Sequence, residues 1–385
     1  MKTEKLMFEL LRVAVCETPV SDRLKEVCTS EMLDEVYTLA CRHDLAHLVG
    51  QAASKLALPE SEALTKSKQV AIQAFARYMR LERAYHEVCI ALENAKIPFL
   101  PLKGSVIRSY YPEPWMRTSC DVDVLVHEEN LEHAIVVLTT KLGYKNEGRG
   151  YHDVSLFSPG GVHVELHFTL IDEGYLPAAQ KIAENVWAYV SPVRETNFQM
   201  QMSDEMFYFY HIAHMAKHLE NGGCGIRPFL DIWILNHSVE YGCTDREQLL
   251  VQGGMLAFAQ AAEELSEVWF SDAQKGPLSE HLERFILDGG VYGNLQNQVA
   301  VQQTKKAGKL RYALSKIFLS YDIIKFQYPI LQKHRWLTPL YEIRRWIKLI
   351  FTSEAKRSLR TLKTNAGISV EEISSTADLL NALGL

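Results

Sequence analysis

Asp121-Val122-Asp123-Val124-Leu125-Val126, read with Leu102-Lys103-Gly104-Ser105 upstream of it, decides how this chain is organised. Successive side chains of an extended strand point to opposite faces, so Asp121 and Asp123 share one face while Val122, Val124 and Val126 share the other. Carboxylates two residues apart on one face repel, and Asp is a poor strand former, so the pair is costly unless a cation neutralises it. The turn before the strand suits phosphate: Gly104 lets the backbone approach closely, and Ser105 offers a hydroxyl to β and γ phosphates.

A second stretch has the same period. In Gly161-Val162-His163-Val164-Glu165-Leu166-His167-Phe168, the apolar residues take one side and leave His163, Glu165 and His167 on the other. Glu165 thereby becomes a third carboxylate, with His167 able to orient it. Hard divalent cations are held by a few carboxylates together with substrate phosphates. Asp121, Asp123 and Glu165 are the expected ligands of a two-ion Mg²⁺ site, with Mn²⁺ as the alternative. The competing reading is a solvated strand face, and the Gly104-Ser105 turn weighs against it.

Working outward, no Gly or Pro interrupts residues 61–96, and Leu81, Tyr85, Val88 and Leu92 recur at helical spacing. Ile97 to Leu102 reads as an edge strand because of its prolines. A helix is expected over Val106 to Tyr111, its amides turned toward the phosphate turn. Another is marked by Leu131, Ile135, Leu138 and Leu142, ending near Gly143. Val154 to Phe157 and Val162 to Leu170 form a hairpin about Ser158-Pro159-Gly160-Gly161. From Ser203, an expected N-cap followed by Asp204 and Glu205, the chain turns helical again, and the last twenty or so residues read as a short helix. The expectation is an α+β fold: a helical region over 1–95, a small mixed-sheet core over 96–200, and a helical domain over 201–385.

These segments, in this order, resemble the polymerase-β-like nucleotidyltransferase superfamily. More narrowly, Leu102-Lys103-Gly104, Tyr110-Tyr111-Pro112, Arg117 and Asp121 to Val126 are similar to a family of uncharacterised nucleotidyltransferases (the NTP_transf_5 group). Cys41-Arg42-His43-Asp44, Glu165-Leu166-His167, Lys217-His218, Arg227-Pro228-Phe229-Leu230-Asp231, and Tyr328-Pro329-Ile330-Leu331 through Arg344 extend the similarity over most of the chain. Two positions depart from the pattern: Cys120 stands where a small residue such as Gly is usual, and Glu165 where Asp is common. The resemblance implies transfer of an NMP from an NTP to an acceptor hydroxyl with release of pyrophosphate. It also implies that Lys103, Gly104, Ser105, Arg117, Lys217 and Arg227 contact the nucleotide, with Asp231 orienting Arg227 and Glu165 accepting the hydroxyl proton. The acceptor is left open among a small molecule, a protein side chain and RNA.

Two other readings compete. A nucleotide-binding regulatory or partner-binding module would keep the fold with little turnover, although intact carboxylates speak against decay. A helical zinc hydrolase would use His211, His214 and His218, which share one stripe of a helix, and His214 and His218 have the i, i+4 spacing of a zinc pair, but no Glu follows His214 in the His-Glu-x-x-His manner.

Composition frames these motifs. The chain has 385 residues, 47% of them apolar, enough for a large core. No run nears the roughly 20 apolar residues that span a bilayer, and Met1-Lys2-Thr3-Glu4-Lys5 opens no secretory signal, so a cytoplasmic location is expected. Cys16, Cys28, Cys41, Cys89, Cys120, Cys224 and Cys243 are odd in number and scattered, which suits reduced, mostly buried thiols. Net charge is −6, yet residues 305–363 hold fifteen Lys or Arg against three acids (Asp322, Glu342, Glu354), a net of +12. Within that stretch Tyr328, Trp336, Tyr341 and Trp346 interleave with Lys333, Arg335, Arg344 and Arg345, a pattern that suits RNA docking. Solvated helix faces are the plainer reading.

Overall fold

The computed structural model describes residues 2–385 except 57, 59, 172–175, 239–245, 307 and 351–353, and gives no side-chain surroundings for 322, 326, 349, 350 and 354–357. Cys243 and the side chains of Asp322 and Glu354 therefore lie outside the described residues. The other six cysteines are free thiols, three of them buried.

The uninterrupted run after Ser61 is a single helix, Glu62–Asn94, whose first turn is capped by Ser61 Oγ accepting from the Leu64 amide. Its apolar stripe, Leu81, Val88 and Leu92, is buried against one face of a five-stranded sheet. The strands are β1 (Phe99–Pro101), β2 (Asp121–Val126), β3 (Lys145–Arg149), β4 (Asp153–Phe157) and β5 (His163–His167). Their spatial order is β1-β2-β5-β4-β3, with β2 and β5 parallel and every other neighbour antiparallel. Val122, Val124, Val126, Val154, Leu156, Val164 and Leu166 pack under the Glu62–Asn94 and Leu131–Lys141 helices. Each such side chain contributes roughly 1.5–3 kcal/mol of transfer free energy. Burial of that face sets the register and forces Asp121, Asp123, Glu165 and His167 onto the opposite one.

β1 occupies the sheet edge, as its prolines require, and the β4–β5 hairpin forms as expected. Three details differ. The expected Val106–Tyr111 helix is one turn, Gly104–Ile107, followed by a 3₁₀ turn over Arg108–Tyr110. β3 was not foreseen because Lys145-Asn146-Glu147-Gly148-Arg149 is exposed throughout and broken by a bulge, so no apolar alternation marks it. A small hairpin, β6 (Val190–Pro192) with β7 (Met200–Met202), was also missed. Its approach to β7 is tied to the end of the Glu62–Asn94 helix by Glu93, whose carboxylate accepts from the amides of Asn197, Phe198 and Gln199, and to β1 by the Phe99 amide donating to the Phe198 carbonyl.

The acid-bearing face is roofed by helices from both ends of the chain. Leu100, Leu102 and Leu125 join a second, larger core shared by the Thr3–Val15, Ser30–Arg42 and Ala46–Lys55 helices and the Asp204–Glu220, Arg227–His237 and Leu256–Phe270 helices. Ser203 precedes the Asp204–Glu220 helix as expected, but its hydroxyl makes no cap hydrogen bond. The terminal helix Val370–Ala382 has a capping box between Ser369 and Glu372. In the basic segment, Arg345 is buried in an ion pair with Glu342 and Trp346 donates to the Ile317 carbonyl. Arg345 is thus no free phosphate contact, while Lys333, Arg335, Arg344 and Trp336 are exposed. No helix among the described residues is long and apolar enough to cross a membrane.

Candidate active site

The parallel ladder pairs Asp121 with His163, Asp123 with Glu165 and Leu125 with His167, which assembles the two sequence stretches into one cluster. His167 Nε2 donates to Asp123 Oδ1 at 2.9 Å and lies 3.3 Å from Glu165 Oε2, so the buried imidazole bridges the two carboxylates. Lys103 Nζ reaches the same Asp123 oxygen at 3.5 Å. To do so Lys103 takes a positive φ of 39°, a conformation costly for a residue with a Cβ and characteristic of sites where geometry is imposed.

Charge is unevenly shared in this cluster. Burial, then Asp123 and Glu165, push the Asp121 carboxyl up to about 6. Burial would raise Asp123 as well, but Lys103 and the His167 hydrogen bond hold it well below the usual carboxylate range. His167 moves up despite burial, because Asp123 and Glu165 stabilise its cationic form. Ligand atoms of Asp121, His163 and Glu165 lie within 4.8 Å of one another, as do those of Asp123, Glu165 and His167. Three carboxylates against one ammonium and one imidazole leave surplus negative charge, and the donors are predominantly oxygen. This set fits a hard divalent cation.

A cleft of about 330 Å³ opens over the cluster. One wall is Lys103, Gly104, Ser119, Cys120 and the carboxylates; the other carries His214, Lys217 and His218 from the Asp204–Glu220 helix and Arg227 from the next. Gly104 is needed here for closeness: a Cβ would sit 3.2 Å from Arg117 Nη1 and from Ser119 Cβ. Buried Arg108 fastens this turn, donating to the Gly104 carbonyl at 2.7 Å and to Ser119 Oγ at 2.9 Å.

Placement differs from the sequence expectation at several residues. Ser105 does not line this cleft; it faces a separate cavity with Tyr85, Pro101 and Tyr110. The hydroxyl beside Asp121 is that of Ser119. Asp231 does not orient Arg227. It is fully buried and receives both Nε (3.1 Å) and Nη2 (2.8 Å) of Arg117 together with the Tyr111 hydroxyl (2.7 Å). Arg227 is held instead by Asp44 Oδ2 and Thr118 Oγ1, both at 3.2 Å. Arg117 therefore reaches the cleft wall with its guanidinium already in a bidentate buried pair, which gives it a clamping role between the segment before β2 and the Arg227–His237 helix.

The histidine stripe is not a three-ligand zinc site. His211 is spent on the Pro228 carbonyl at 3.1 Å, and His214 and His218 contact each other through Nε2 atoms 3.2 Å apart. Burial, then Lys103 and His218, push His214 well below the ordinary imidazole value, so it lines the cleft as a neutral ring. Sequence reasoning also missed Tyr292. This ring is 74% exposed and sits at the cleft mouth, on a loop whose Gly293 packs against Gly222 and Gly223. The only local signal was glycine on both sides of each loop.

Tyr111 and Arg117 on Asp231, and Arg227 and Thr118 on Asp44, thus form two hydrogen-bonded groups that Arg117 Nη1, donating to the Thr118 carbonyl, joins into one girdle beside the carboxylates. No curated protein and no solved structure matched the chain significantly. A family model described as uncharacterised nucleotidyltransferase matches residues 29–270, which include every member of that girdle, and the chain belongs to this family.

Proposed function

We propose that the chain transfers an NMP from an NTP to an acceptor hydroxyl, in the cytoplasm where nucleoside triphosphates are supplied. The observation that carries this reading is the convergence of Asp121, Asp123 and Glu165 on one side of a cleft whose other side carries Lys217 and Arg227. Residues 96–200 supply the reacting groups, the helical segment 201–385 closes the cleft over them, and the helical segment 1–95 supports that wall through Asp44, which holds Arg227. Mg²⁺, with Mn²⁺ as the alternative, held by Asp121, Asp123 and Glu165 would neutralise the triphosphate and stabilise the charge that develops on it.

The protein's own residues do the positioning. Lys103 keeps Asp123 ionised and fixed, and His167 locks Asp123 and Glu165 in a single arrangement. Gly104 and Ser119 let the triphosphate lie close to the backbone, with Lys217 and Arg227 opposite. Tyr292 offers its ring to the base. Glu165 takes the proton as the acceptor oxygen bonds to the α-phosphorus and the bond to the β-phosphate oxygen breaks, releasing pyrophosphate. The acceptor is a small molecule, a protein side chain or an RNA end.

Mn²⁺ titration followed by electron paramagnetic resonance, with a non-hydrolysable NTP analogue present, tests the site apart from turnover. Two ions per chain are expected, reduced in Asp123→Asn. Equal Mn²⁺ binding by both proteins would refute the ligand assignment.

A further inference from the structure

Apolar side chains left in solvent concentrate in the basic segment. On the Thr338–Ile350 helix, Leu340, Ile343 and Ile347 are 60%, 49% and 54% exposed, and spacings of three and four put them on one face. Trp336, just before this helix, is 77% exposed. The helix cannot roll to hide the stripe, because its other side is fixed. Buried Glu342 accepts from the Leu319 amide at 2.8 Å and pairs with Arg345, and Trp346 donates to the Ile317 carbonyl at 2.8 Å. Arg344 and Lys348 are exposed and flank the stripe, and Lys333 and Arg335 are exposed ahead of Trp336.

We propose that this face, Trp336 with the Leu340/Ile343/Ile347 stripe and its flanking cations, docks on an anionic lipid bilayer. An interfacial helix buries its apolar residues at the headgroup boundary while Lys and Arg meet anionic headgroups, and the two contributions are needed together for firm association. Charge complementarity selects this occupant. A second copy meeting it through the same face would bring one +12 segment against another. RNA would use the cations and Trp336 but would gain nothing from three exposed aliphatic side chains, since base contacts rely on aromatic faces. The inference is independent of nucleotide transfer; it concerns where the protein sits.

Co-sedimentation of the full chain with phosphatidylcholine vesicles, with and without phosphatidylglycerol, tests it. Binding to the anionic vesicles is expected at low salt, and much weaker binding to the neutral ones. Leu340→Ser with Ile343→Ser and Ile347→Ser should reduce anionic-vesicle binding at least tenfold. Arg344→Gln with Lys348→Gln should reduce it by about 25-fold, about fivefold per cation, and flatten its salt dependence. These side chains are exposed, so wild-type circular dichroism is expected. Should the triple variant misfold, Trp336 fluorescence gives a second reading: a blue shift on adding anionic vesicles, lost in Trp336→Phe. No partitioning into anionic vesicles, partitioning untouched by the apolar substitutions, or retention on single-stranded RNA that vesicles do not displace would each overturn the proposal.

Discussion

Asp123 stands opposite Glu165 across the parallel ladder of β2 and β5, and His167 bridges the two carboxylates at 2.9 and 3.3 Å. Two acids brought this close by backbone pairing, with Asp121 beside them, repel one another, and Lys103 and His167 offset only part of that charge.

Asp121→Asn and Asp123→Asn should each lower nucleotidyl transfer by about 10²-fold or more, since charge stabilisation in the transition state is lost. Asp121→Asn should melt at or above the wild-type temperature, because it removes a repelling anion. Asp123→Asn should melt lower, because it strips the partner from buried Lys103 and His167. Steady-state assay beside thermal denaturation checks both.

Glu165→Gln separates binding from chemistry. As proton acceptor, Glu165 should matter to the single-turnover rate while NTP affinity changes little. A collapse of affinity with an unchanged bound-state rate would make it a binding residue and put the base elsewhere.

Lys217 and Arg227 line the same wall but are held differently, and their substitutions should diverge. Lys217→Ala should weaken NTP more than the parent nucleoside. Arg227→Ala should do the same and also destabilise the fold, because Asp44 and Thr118 lose their shared donor. Tyr292→Ala should weaken NTP by about five- to a hundredfold with inorganic tripolyphosphate unaffected, as stacking on a base would require. Isothermal titration with the three ligands discriminates these roles.

The acid face of the sheet was legible from sequence because it depends only on the period-2 alternation of Val122, Val124, Val164 and Leu166 with the acids. What the girdle residues do was not legible. Asp231 lies four residues after Arg227, yet its partner is Arg117, more than a hundred positions away, and only the packing of the Arg227–His237 helix against the segment before β2 sets that choice. Ser105 looked right by its dipeptide, but helical rotation after Gly104 turns it to another cavity and leaves Ser119 beside Asp121. β3 escaped notice because an exposed edge strand needs no apolar pattern, and Tyr292 because its place in the cleft comes from glycine loops meeting far from the motif.

Stability should fall in mild acid through His43. Burial pushes its imidazole down to about 4, against the hydrogen bond to the Leu287 carbonyl. The unfolded chain binds this proton near pH 6.5 and the folded chain does not, so the contribution is present above that pH and is lost as pH falls toward 4, amounting to about 3 kcal/mol. Melting temperatures of wild type and His43→Gln, compared from pH 7.5 downward, should converge as the pH drops.

Following the label from each phosphate distinguishes nucleotidyl transfer from phosphoryl transfer. Purified protein, Mg²⁺ and a cell lysate are incubated with each NTP labelled either at the α- or at the γ-phosphate, and incorporation is compared with that of Asp123→Asn. Nucleotidyl transfer requires, above the level seen with lysate alone, that the α-label of at least one NTP be transferred, that the γ-label not be, and that the variant transfer neither. Transfer of the γ-label, or α-label incorporation that survives in Asp123→Asn, would contradict it.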